Sequence, residues 1–341
     1  IGPTHQKGLI ELPENAIVVP GFIDEHIHGC HGHDVMDASS SALVDIANQL
    51  LQEGVTYFCP TTMSMSLSDI KKALTTINHV KESQTSGAEI IGVHLEGPFL
   101  SEKFCGAQDP QHLLDCDEKT LVDLIKTSRS SIRIVTFATE RNGMSILPTL
   151  KKEHITPSLG HSDATGEQAH LAIEAGARCA THCYNAMRGI HHRDVGLLGA
   201  VMLDDRVMCE LIADLKHVSP DAIRLLFKNK GKDRVILVSD SMEAKYLPEG
   251  EYALGGQKVF VKDYAARLAS GVLAGSVLRL DDALKNISKT LPELTFTEII
   301  DLVTKNPANN LGMPDIGSIK VGNRARFTIV DKDFNVLQTI F

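Results

Sequence analysis

The 341-residue chain predicts a (β/α)8 barrel, and three observations predict it. Eight short apolar runs follow one another, amphipathic stretches separate most of them, and histidines or carboxylates stand where the runs end. The runs cover residues 17–23, 55–60, 90–95, 132–138, 156–160, 178–182, 207–213 and 235–239. Each is apolar over most of its length, as a parallel strand covered by helices on both faces must be. Their spacing, ~20–40 residues, leaves room for a crossover helix between strands. A doubly wound open sheet is the competing class, but it usually has fewer strands and a glycine-rich turn after the first.

The helical stretches carry their own punctuation. Ser39 or Ser40 can cap a helix whose Leu43, Ile46, Ala47, Leu50 and Leu51 form one stripe, stopped by Gly54. Ser66 or Ser68 can cap the next, with Ile70, Leu74 and Ile77 inward. Ser219-Pro220 opens another, since proline suits the first helical position, and Ile223, Leu226 and Phe227 face the core. Two segments fall outside the barrel. Residues 251–275 read as short inserted strands, with Gly255-Gly256 as a turn. The tail alternates apolar and polar residues like a half-solvated antiparallel sheet. Residues 1–16 are expected to pair with it, so that 1–16 and 314–341 form a small β-sandwich domain beside a barrel of 17–313.

Charge and composition narrow the function. Lys and Arg number 34 against 43 Asp and Glu, a net −9, which leaves no basic surplus for nucleic acid. With 43% hydrophobic and 23% charged residues the composition is that of a globular protein. No apolar run approaches the ~18–20 residues of a membrane helix. The seven cysteines are scattered and odd in number, which favours reduced thiols and a cytoplasmic protein.

A barrel carries its chemistry at the C-terminal ends of its strands. Those positions hold Asp24, Glu25, His26 and His28, then His94 and Glu96, then His161 and Asp163. His182, Asp214, His217 and Asp240 follow at later strand ends. Imidazole and carboxylate are the ligands of a divalent metal such as zinc or iron. His26 and His28 project to one side of a strand and can reach the same ion. Asp240 has the chemistry to take a proton from a metal-activated water and pass it to a leaving group. His217 can donate to an oxyanion or to a substrate hydroxyl. Were the substrate an anion, a net-negative protein would need a local cation for it, and Arg193 beside His191-His192 could serve. His31 and His33, in a glycine-rich loop, are surplus to a complete ligand set.

These strings resemble the amidohydrolase superfamily over nearly the whole chain, and within it the deacetylases of amino-sugar phosphates. They are Pro20-Gly21-Phe22-Ile23-Asp24 with His26-x-His28, His94-Leu95-Glu96-Gly97-Pro98-Phe99, Gly160-His161-Ser162 and Thr181-His182-Cys183-Tyr184-Asn185-Ala186-Met187. Ala213-Asp214-Leu215-Lys216-His217, Val238-Ser239-Asp240 and Leu273-Ala274-Gly275-Ser276 complete them. The resemblance implies a metal-dependent hydrolase that converts N-acetyl-D-glucosamine 6-phosphate to D-glucosamine 6-phosphate and acetate. It implies that Glu96, His161 and His182 hold a principal ion and that His26 and His28 support a second, bridged by Glu96. It makes Asp240 the general base and then the acid. Substrate contacts map onto Ala107, Asn185, Ala186, Arg193, Asp214, Leu215, Lys216, His217, Leu273, Ala274 and Gly275. A homodimer is also implied. Leu215-Lys216 departs from the Gly-Leu common in the family, which bears on the loop's shape. A cyclic amidase with a carboxylated lysine on strand four is disfavoured, because residues 132–138 contain no lysine. A purine deaminase is disfavoured by the lack of His-x-x-Glu after His161. A barrel that had lost its metal would lack ligands or the catalytic Asp, and here all are present.

Overall fold

The computed structural model describes residues 11–341. Its strands are β1 (Ile17–Pro20), β2 (Phe22–Ile27), β3 (Gly29–Cys30), β4 (His33–Asp34), β5 (Val55–Pro60), β6 (Glu89–Ile90), β7 (Val93–Glu96), β8 (Ile132–Phe137), β9 (Thr156–Leu159), β10 (Cys179–Ala180), β11 (Met208–Leu211), β12 (Val235–Leu237), β13 (Gly250–Leu254), β14 (Gln257–Lys262), β15 (Ala265–Leu268), β16 (Phe327–Val330) and β17 (Val336–Ile340). Strands β7 to β12 form one six-stranded parallel sheet in sequence order, and β2, β5 and β6 form a second parallel sheet. Single parallel bridges link the two, Thr61 with His94 and Ile27 with Ser241. The helices between the strands begin as their caps dictate. Ser39 Oγ accepts from Ala42 N, Ser66 Oγ from Asp69 N and Ser219 Oγ from Ala222 N.

Two of the apolar runs divide. In the first, Ile17–Pro20 pairs antiparallel with β16, while Phe22–Ile27 pairs parallel with β5. Gly21 lies at the change, where a Cβ would stand 1.9 Å from Thr56 Oγ1. The tail therefore takes residues 17–20 as a partner. Residues 11–16 carry no strand, being broken by Pro13 and largely polar, and 1–10 lie outside the described residues. The third run splits into β6, against β5, and β7, against β8, around Gly92. A Cβ on Gly92 would meet Arg133 Cγ at 2.1 Å, so only glycine lets the strands approach there.

The inserted segment is an antiparallel meander, β13-β14-β15, that turns at Gly255-Gly256. Its Leu254 and Val259 pack on Met63 and Met242 beside the strand ends. Strands β2, β5 and β11 are buried at every position, which explains their apolar character. Glu25 and Glu210 are carboxylates inside that burial. Among the described residues no helix is long and apolar enough to cross a membrane.

Candidate metal centre and its cleft

Four imidazoles and two carboxylates converge at the strand ends. Glu96 closes β7, His26 lies in β2 and His28 just beyond it. His161, His182 and Asp240 follow β9, β10 and β12, each in the left-handed backbone region with φ of 46°, 31° and 46°. Such residues cost on the order of 1–3 kcal/mol and persist only where the surroundings over-determine them. Here they do. Asp240 N donates to His26 O at 2.9 Å, and Asp240 O accepts from Ser276 N at 2.7 Å. His161 O accepts from Ser101 N, and His182 N donates to Glu210 Oε2.

The convergence is atomic. His161 Nε2 and His182 Nε2 each lie 3.2 Å from Glu96 Oε1 and 3.0 Å from one another. His28 Nε2 is 3.2 Å from both Glu96 Oε2 and Asp240 Oδ1. His26 Nε2 is 3.3 Å from His28 Nε2, 3.4 Å from Asp240 Oδ1 and 3.6 Å from Glu96 Oε1. On the far side of the rings, His161 Nδ1 faces Phe104 O, His28 Nδ1 faces Thr61 O and His26 Nδ1 faces Glu210 Oε2. Those oxygens only accept, so the ring proton belongs on Nδ1 and Nε2 turns a lone pair inward. His161 Nε2, bared in this way, lies 3.0 Å from His182 Nε2, and Glu96 Oε1 is buried without a hydrogen-bond partner among the described residues. The donor set fits a divalent cation.

Electrostatics agrees. Burial pushes the His28 imidazole down, but hydrogen bonds to Asp240 and Glu96 outweigh it and raise it to about 9. Burial would raise Glu96, yet the charges of His26 and His161 hold it well below the usual carboxylate range. Asp240 is likewise held low against burial, first by His26 and then by His28. The cluster calls for positive charge, which protons or a divalent ion can supply.

A cleft of about 350 Å³ opens onto the cluster. Of the residues singled out from sequence, His28, Glu96, His161, His182, His217 and Asp240 line it, as do Ala107, Asn185, Ala186, Leu273 and Gly275. His26 lies beneath. Ala274 packs away from the cleft, among the buried residues under the meander. Asp214 stands behind His217, its Oδ2 2.6 Å from Nδ1 and its Oδ1 accepting from the Lys216 and His217 amides. Lys216 borders a neighbouring groove with Lys285 and Lys289, and Leu215, at φ 61°, does not line the cleft. The 214–217 segment thus sends one side chain, His217, inward. Arg193 is also absent from this wall. It is exposed, pairs with His192 and lines a separate groove with His170 and Leu171, because the loop after Ala186 runs outward. His31 and His33 stay outside the cluster, His33 facing Asp45.

Sequence reasoning missed three residues. Gln108 lines the cleft, donates to Glu96 Oε2 at 2.8 Å and accepts from Ser64 N. Lys103 lines it as well, paired with Asp163. Both sit in an irregular loop with no periodic signal. Glu210 did leave one, a lone carboxylate inside the apolar run 207–213.

Residues 17–341 match the amidohydrolase family. The chain is similar to the N-acetylglucosamine-6-phosphate deacetylase of Lysinibacillus sphaericus, 37% identical over 98% of this chain and 87% of that protein. It is similar to the N-acetylgalactosamine-6-phosphate deacetylase of Escherichia coli O157:H7, 38% identical over 94% and 85%. Among solved structures, an N-acetyl-D-glucosamine-6-phosphate deacetylase variant from Mycobacterium smegmatis, in complex with N-acetyl-D-glucosamine-6-phosphate, superposes with a TM-score of 0.90. It is 30% identical and covers 95% of this chain and 85% of that one.

Proposed function

The chain belongs to the amidohydrolase family, and on that premise we propose that it removes the acetyl group from N-acetyl-D-glucosamine 6-phosphate, giving D-glucosamine 6-phosphate and acetate. The observation that carries this reading is the meeting of His161 Nε2, His182 Nε2 and Glu96 Oε1 beside Asp240 at the floor of a sugar-sized cleft. Full-length similarity to sugar-phosphate deacetylases supports the substrate class. The two parallel sheets, joined by their bridges, are read as one closed (β/α)8 barrel, with β1, β16 and β17 as the core of a small β-sandwich domain.

The family is metal-dependent. Glu96, His161 and His182 would hold a principal zinc or iron ion, and His26 and His28 a second, with Glu96 bridging. When bound, such an ion supplies Lewis acidity, lowering the pKa of a water toward ~7 and polarising the acetamide oxygen. Asp240, ionised and facing the cleft, accepts the water proton and returns it to the amine nitrogen, so that the C–N bond breaks forward. His217 has Nδ1 engaged by Asp214, which leaves Nε2 for the substrate. Gln108 and Ser64 keep the Glu96 carboxylate from rotating. The resemblance assigns Arg193 to the phosphate, although here its side chain stands outside the cleft, bonded to His192. Seven unpaired cysteines support a cytoplasmic location.

The test is acetate release from N-acetylglucosamine 6-phosphate and from its galactosamine epimer, with and without chelator. Chelator-sensitive release is expected from the first substrate. No release from either, or release indifferent to metal removal, overturns the reading.

A further inference from the structure

Glu210 lies in the middle of β11 with no exposure to solvent. A carboxylate buried in an apolar strand is costly unless its charge is matched. Among the described residues no lysine or arginine pairs with Glu210; its ionisable neighbours are the imidazoles of His26, at 2.9 Å, and His94, at 3.9 Å, and the buried Glu25 carboxyl, within 4.8 Å. His94 offers it little. Its Nδ1 faces Glu25 O at 3.2 Å, and its Nε2 meets Thr136 Oγ1 at 2.7 Å. With both nitrogens engaged, His94 has no lone pair for an ion, so His26, His94 and Glu210 do not make a further metal site despite their spacing.

What remains is the contact to His26. Glu210 Oε2 accepts from His26 Nδ1 and, at 3.2 Å, from the backbone N–H of His182. One oxygen therefore ties the β2 histidine to the residue that follows β10. We infer that Glu210 is a positioning residue: it holds the proton of His26 on Nδ1, points the bare Nε2 at Glu96 and Asp240, and so builds the second ion's half of the centre. This inference rests on the two-ion reading above. Carboxylates behind metal-binding histidines fix the ring's tautomer and orientation and raise its basicity, and losing one typically costs 10–100-fold in metal affinity.

The experiment titrates metal-free full-length protein with Co2+ alone, using chelator competition to measure each equivalent. Wild type should take two ions per chain. Glu210→Met keeps the bulk but removes both acceptors, and should weaken the second equivalent by ~10–100-fold. Glu210→Gln keeps one acceptor and should recover most of that loss. In a His26→Gln background, Glu210→Met should cause no further loss of the second ion, because the two residues act through one another. If Glu210→Met does not fold, the same cycle run on Glu210→Gln decides, since its smaller loss should also vanish without His26. Two ions in wild type with Glu210→Met equally tight overturns the inference and leaves the two-ion reading standing. A loss that persists undiminished without His26 also overturns it, marking Glu210 as structural. A single ion in wild type overturns the two-ion reading, and this inference with it.

Discussion

His26 and His28 reach the centre from one strand, two residues apart, whereas His161 and His182 reach it from two strands and from left-handed backbone. The first pair is directed by strand geometry, since alternate residues share a face. Its outer nitrogens are then fixed by Glu210 and by a backbone carbonyl. The second pair is directed by the turns after β9 and β10, and His182 Nδ1 has no hydrogen-bond partner among the described residues. Glu96 serves both: its Oε1 faces His161, His182 and, at 3.6 Å, His26, and its Oε2 faces His28. The difference teaches that the same ligand chemistry can be assembled by local periodicity or by loop conformation. Only the second way places strain at the site.

The largest break in this comparison comes from removing what both groups share. Glu96→Gln should strip most of the bound divalent metal and with it the activity; elemental analysis at full occupancy would refute the assignment. Next comes Asp240→Asn, which keeps shape but removes the base. Its kcat should fall by at least ~10²–10⁴-fold while the principal ion stays and KM moves far less, the mark of a transition-state interaction. A metal-free variant would instead make Asp240 chiefly a ligand.

Removing the strand-borne pair alone, His26→Gln with His28→Asn, should leave about one ion per chain and partial activity, as counted by metal analysis. Arg193→Ala should raise KM for the phosphorylated sugar by the loss of a charge-assisted contact worth ~1.5–3 kcal/mol, and hardly change that for the unphosphorylated one. Equal changes on both would make Arg193 structural. The smallest effect belongs to Leu215→Gly. A leucine at φ 61° is strained and glycine is not, so melting should show a stability change within about 1 kcal/mol and acetate release should be retained.

Much of the site was legible because strand ends repeat. His26-x-His28 announces itself by period two, and Glu96, His161, His182 and Asp240 each stand where an apolar run stops. The cleft wall was less legible. Ala107, Asn185 and Leu273 came only through resemblance, and Gln108, in the same loop as Ala107, carried no periodic or charge signal. Arg193 shows the limit most clearly, for its number in the chain places it near Asn185 but its loop carries it to another groove.

By itself the sequence determined what is local: which runs are buried on both faces, where serines cap helices, and which residue types stand at the strand ends. These follow from side-chain periodicity and from hydrogen bonds spanning a few residues. Tertiary structure alone decided that Ile17–Pro20 leaves β2 for β16, that His217 and not Lys216 faces the cleft, and which nitrogen of His26 turns inward. Each of those depends on a partner far away in sequence, Phe327–Val330 for β1 and Glu210 for His26. Such a partner is brought near only by the closing of the core.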